Sequence, residues 1–133
     1  GGFEGVRDEG GIRATLDFVQ NDLYYPTFAD KLTYLMYRFC SGHFFNDGNK
    51  RIALTLGTYF LHKNKYYWHA CTCMRTLESI IYHVAASNID QDLLLRIVNS
   101  FLTSKDYDEE LKIDIANAMS KGELGIQGED YEQ

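Results

Sequence analysis

Proline is nearly missing from this chain. One residue, Pro26, interrupts 133, so little forces a helix to stop for want of a backbone donor. Positive charge is also scarce: 13 Lys and Arg stand against 19 Asp and Glu, a formal net charge of −6. No general basic face is therefore available for counterion-driven binding, which argues against nucleic acid and anionic membrane as partners. Long apolar runs are missing too. No stretch approaches the roughly eighteen residues of a membrane-spanning helix, and the first ten residues are not a charged-then-apolar secretion signal, so a cytoplasmic protein is expected. Cysteine is limited to Cys40, Cys71 and Cys73, an odd number with the last two too close to close a useful loop. Reduced thiols are the simpler reading.

What the chain does have is apolar surface. Hydrophobic residues make up 45% and aromatics 14%, with ten Tyr and eight Phe, more than a disordered chain leaves in water. The length suits one domain with a single core. Glycines gather at the start, around residues 42–48 and in the last fourteen residues, leaving long stretches between them in which helices can run.

Apolar spacing predicts an all-α fold of about six helices. Ile12, Leu16 and Val19 mark a first helix over about Glu9 to Asn21, which the segment Asp22 to Pro26 ends. Thr27 with Asp30 three residues on has the form of a capping box, and Phe28, Leu32, Leu35, Met36 and Phe39 follow on one stripe, giving a second helix over Phe28 to Ser41. Ile52, Leu56, Tyr59 and Phe60 mark a third that ends near Asn64, with Ala53 and Gly57 as a small face for close contact. Leu77, Ile80, Ile81 and Val84 mark a fourth, Leu93 to Phe101 a fifth, and Leu111, Ile115 and Met119 a sixth. From Ser120 the composition turns to glycine and acid, so residues 1–119 are expected to form the domain and 120–133 a mobile tail.

Between the second and third helices lies Gly42-His43-Phe44-Phe45-Asn46-Asp47-Gly48-Asn49-Lys50-Arg51. A helix start carries positive partial charge and free N–H donors, and structural helices favour Asp or Glu there; this one opens on Lys50 and Arg51. Gly48, the Asn49 amide and two cations thus concentrate positive potential at one point of an acidic protein, an arrangement suited to phosphate. Asp47 beside a phosphate makes most sense with Mg²⁺ between them. His43 is the loop's one side chain that titrates near neutrality, a candidate base for an incoming hydroxyl, and Phe45 is the expected apolar anchor. A polar interhelical loop with a capping His43 and solvated cations is the plainer reading. The ordered occurrence of base, anchor, carboxylate, glycine, amide and cations within nine residues favours function.

His43 to Arg51 resembles the signature of the Fic/Doc family, and is similar in particular to the death-on-curing (Doc) branch, whose loop reads His-x-Phe-x-Asp-Ala/Gly-Asn-Lys-Arg. The glycine-rich opening, Gly1-Gly2 and Gly5 to Gly10, and the segment Ile52 to Asn64 extend the likeness over about residues 1 to 66. It implies a Fic/Doc-like helical bundle with the active loop between helices two and three. It further implies transfer of AMP, phosphate or a related group from ATP to a protein hydroxyl. Carried over by position, His43 is the base, Asp47 the Mg²⁺ ligand, and Gly48, Asn49, Lys50 and Arg51 the phosphate cradle.

Departures bear on the branch. AMP-transferring members usually have glycine where this chain has Lys50 and a second arginine where it has Leu54, which favours Doc-like transfer of the terminal phosphate. Gly48 is the residue the AMP-transferring branch prefers. The resemblance then implies a toxin of a toxin–antitoxin pair, with elongation factor Tu as target and an antitoxin chain as inhibitor; AMP transfer and a non-catalytic nucleotide- or antitoxin-binding module are the alternatives. Relatives usually carry a helix before the glycine-rich turn, so an N-terminal helix is expected to be lacking here. The self-inhibitory Ser/Thr-x₃-Glu-Gly/Asn string is also not found.

Other candidates are weaker. His69, Cys71 and Cys73 lack the Cys-x₂₋₄-Cys spacing of structural zinc and read as a core or surface turn. His62 and His83 read as packing or surface residues. Tyr24-Tyr25 sits where the family has a flap that aligns the target segment, although packing is the better reading of the residues themselves.

Overall fold

A computed structural model describes the backbone of residues 5–132 and the side chains of residues 5–122. Its elements are α1 (Glu9–Phe18), α2 (Phe28–Ser41), α3 (Asn49–Lys63), α4 (Tyr67–Ala85), α5 (Gln91–Leu102) and α6 (Glu109–Glu132). Among the described residues the β-pairing is limited to one antiparallel bridge, Val6 with Phe45. The fold is all-α, as the apolar spacing predicts. None of these helices is long and apolar enough to cross a membrane.

Helix α2 is the centre, packing against α1, α3, α4 and α5. It is buried on most sides, through Leu32, Leu35, Met36, Phe39 and Cys40, and so carries apolar residues round more than one stripe. Its start is set locally. Thr27 Oγ1 accepts the Asp30 N–H (3.0 Å), and Asp30 Oδ2 accepts the Thr27 N–H (3.2 Å) in return. Thr27→Ala should cost about 1 kcal/mol, a fall of a few degrees in thermal unfolding, because the Asp30 N–H at the helix start loses its acceptor.

Helix α1 ends three residues earlier than the spacing suggests. Asn21 Oδ1 accepts the Leu23 N–H (2.9 Å), so the asparagine turns the chain instead of continuing the helix. Helix α4 begins earlier than its apolar markers suggest and takes in His69, Cys71 and Cys73, which are therefore helical and not in a turn. Residues two apart on a helix point away from each other, and here Cys73 is buried while Cys71 is exposed. His69 Nε2 instead lies 3.0 Å from Ser104 Oγ. All three cysteines are free, and burial pushes the Cys40 thiol up to about 11, with the charge of Lys50 opposing that rise. The backbone of α6 continues to Glu132, while the side chains of most of the expected 120–133 tail lie outside the described residues.

Candidate active site

The loop joining α2 to α3 is held on three sides. Beneath it, Phe44 is fully buried, edge-on to Phe39 at 5.3 Å between ring centroids, with the Arg38 guanidinium 5.4 Å over its ring. A Cβ on Gly11 of α1, or on Gly42 at the end of α2, would lie 2.6 Å from the Phe44 ring edge. These two glycines form the slot that admits the ring. Phe45, the expected anchor, is only partly buried and packs on the edge of the core. Phe44 therefore does most of the anchoring.

On the outer side the chain before α1 straps the loop down. Phe44 O accepts the N–H groups of Arg7 (2.8 Å) and Asp8 (3.0 Å), and the Asn46 N–H donates to Gly5 O (2.9 Å). From α3, Asn49 clamps the third side: its Oδ1 accepts the Phe45 N–H (3.1 Å) and its Nδ2 donates to Phe45 O (2.9 Å). Both ends of the Asn49 amide are thus engaged by the loop, and its main-chain N–H stays free of the helix ladder. His43 stands between the end of α2 and buried Phe44, exposed, with φ at 53°. A non-glycine residue at positive φ is strained by roughly 1–3 kcal/mol, and it persists here because the residues on either side are fixed.

The start of α3 is open. Its N-cap is Gly48 at φ 77°, and no side chain caps the helix or places acid in its first turn. The first ladder bond is from the Ile52 N–H to Gly48 O (2.9 Å), so the N–H groups of Asn49, Lys50 and Arg51 precede the ladder. Lys50 and Arg51 are exposed, and neither forms an ion pair among the described residues. Asp47 uses one oxygen, Oδ1, to accept the Gly48 N–H at 2.8 Å. Its second oxygen remains for a cation.

A cavity of about 450 Å³ opens at this helix start. Asp47, Gly48, Lys50, Arg51 and Leu54 line it from the loop and α3; Met74, Arg75, Glu78 and Tyr82 line it from α4. Residues 7–61 match the model of the Fic/DOC family. That stretch contains α1, α2, the loop and most of α3, while Gly5 and Val6 of the strap lie just before it. Neither a curated protein nor a solved structure matches the chain.

The packing gathers Asp47, Gly48, Lys50 and Arg51 on one wall, whereas His43 and Asn49 are not part of the cavity lining. The α4 wall was not legible in the loop motif, because its lining residues, from Met74 onward, come more than twenty residues after Arg51 and reach the site through helix packing. Only an i, i+3, i+7 spacing of Arg75, Glu78 and Tyr82 marks that face in sequence. Among the described residues no cluster of three or more metal-ligating side chains is present. A single carboxylate with a free oxygen fits Mg²⁺ held mainly by phosphate oxygens and water, and does not fit an all-protein cage.

The remaining candidates have packing partners. His62 is edge-on to Tyr67 at 5.1 Å, and His83 Nδ1 lies 3.0 Å from Asn88 Nδ2. Tyr25 stacks on Tyr34 with centroids 4.3 Å apart, while Tyr24 is mostly exposed beside Phe18.

Proposed function

We propose that this chain transfers the terminal phosphate of ATP to a serine or threonine hydroxyl of a target protein. The observation that carries the reading is the cavity at the uncapped start of α3, where Lys50 and Arg51 lack carboxylate partners among the described residues and Asp47 keeps a free oxygen. The Fic/DOC match over the elements that build this loop supports a phosphate-transferring role.

In this reading Lys50, Arg51 and the first N–H groups of α3 bind the phosphate oxygens and the charge that develops on them during transfer. Asp47 holds Mg²⁺, which neutralises phosphate charge when bound. His43 accepts the proton of the incoming hydroxyl. The hydroxyl oxygen bonds to the γ-phosphorus, the bond from that phosphorus to the β–γ bridging oxygen breaks, and ADP leaves. The strapped loop keeps the imidazole where a protein segment can approach it from solvent. Lys50 and Leu54 favour γ-phosphate over AMP transfer. With that branch come a toxin role, elongation factor Tu as target and a separate antitoxin as inhibitor, all in the cytoplasm.

The test is incubation of the protein with magnesium, a cell lysate and ATP labelled at either the α or the γ phosphate. Protein labelled from γ-labelled ATP is the expected result. Label from α-labelled ATP alone would show AMP transfer instead, and no label from either would leave a binding module. Asp47→Ala should lower both turnover and affinity for a non-hydrolysable ATP analogue, the latter by about 2 kcal/mol and only in the presence of magnesium. Calorimetric titration with and without the metal checks it. Equal affinity of the two proteins in magnesium would remove Asp47 from the metal site.

A further inference from the structure

We infer that Arg75 of α4 is a phosphate ligand that binds the end of the triphosphate remote from the start of α3 and so makes the site prefer triphosphate over monophosphate. This rests on the reading of the cavity as an ATP site. The register of α3 against α4 places the residue. Three residues join α3 to α4, so Lys50, thirteen residues before the end of α3, lies near the level of Ile80 and Ile81, thirteen and fourteen residues after the start of α4. The two helices pack on each other across this short connection and run antiparallel. Arg75 lies six residues before Ile81 on α4, about 9 Å along the axis from the level of Lys50. Two long cationic side chains at that spacing can hold the two ends of one polyphosphate chain.

Position separates this residue from an ordinary surface arginine. It stands on the α4 wall of the cavity, across from Asp47, Gly48, Lys50 and Arg51 of the loop and α3. Arg75 has Glu78 one turn away on the same cavity wall, yet no ion pair forms between them, and Arg75 has no other partner among the described residues. The cavity thus collects three cations without ion pairs, Lys50, Arg51 and Arg75, against the carboxylates of Asp47 and Glu78, in a chain of net charge −6. A guanidinium offers a planar fork that matches two phosphate oxygens, which a neutral or apolar ligand would leave unused. Arg75 is exposed, so its removal leaves no cavity in the core.

The experiment is calorimetric titration of the full chain with a β,γ-methylene ATP analogue, ADP and AMP in magnesium, for the unaltered protein, Arg75→Ala, Arg75→Lys and Arg51→Ala. Arg75→Ala should weaken the triphosphate analogue tenfold or more and AMP, whose one phosphate takes the cradle at the start of α3, less than twofold, with Arg75→Lys intermediate. Triphosphate affinity within twofold of the unaltered protein in Arg75→Ala, alongside a clear loss in Arg51→Ala, would overturn the role of Arg75 and leave the site reading standing. An equal loss for all three ligands would also overturn it, since that is what a structural residue produces. Failure of the unaltered chain to bind any of the three would remove the ATP site itself.

Discussion

His43→Ala should lower turnover by roughly 10²–10⁴-fold while nucleotide affinity stays within about twofold. The imidazole is outside the cavity lining, and the residues that line it on the α3 side, Asp47 to Leu54, do not depend on the His43 side chain for position. Their support comes from Phe44 below, the Gly5 to Asp8 strap and the Asn49 clamp. Removing the imidazole thus deletes the proposed proton acceptor and leaves the proposed phosphate cradle in place. Steady-state phosphorylation of a protein target, with calorimetry of the ATP analogue, separates the two quantities. If the variant loses nucleotide affinity together with turnover, His43 is holding the loop in shape and is not its base.

Phe44→Ala should destabilise the fold by about 3–5 kcal/mol, a fall of roughly 10 °C or more in thermal unfolding. The ring is fully enclosed, pressed between Gly11 and Gly42 and edge-on to Phe39, so its loss leaves a void that two helix ends cannot easily close. Phe45→Ala is the internal comparison: that ring is half-buried at the core edge, and its removal should cost clearly less. Calorimetric unfolding of both variants decides between them. A larger loss from Phe45→Ala would return the anchor to the position that the motif alone suggests.

Confusion between these two phenylalanines shows where reading from sequence stops. Adjacent aromatics in a loop have the same local chemistry, and nothing nearby in the chain says which will meet Gly11, thirty-three residues away. Asn49 is similar. Its amide suits phosphate by type, but the turn brings Phe45's backbone N–H and C=O within reach of it first.

Other features needed no packing to be legible. The Thr27 and Asp30 capping box places the start of α2 because donor and acceptor are three residues apart and meet as soon as one helical turn forms. The candidate phosphate site stood out for the same reason: Asp47, Gly48, Lys50 and Arg51 are near neighbours, and a helix start brings them together without help from the rest of the chain. The early start of α4 was hidden because Tyr67, Trp68 and His69 are weak helix formers whose order comes from contact with α3 and α5, including His69 against Phe101. The sequence by itself therefore determined the helical class, the place of the loop and the chemistry of one cavity wall, since these rest on neighbours within a turn or two. The tertiary structure decided the depth of Phe44, the strap before α1 and the second wall at Arg75, Glu78 and Tyr82, because each is a meeting of segments far apart in the chain that local chemistry does not select.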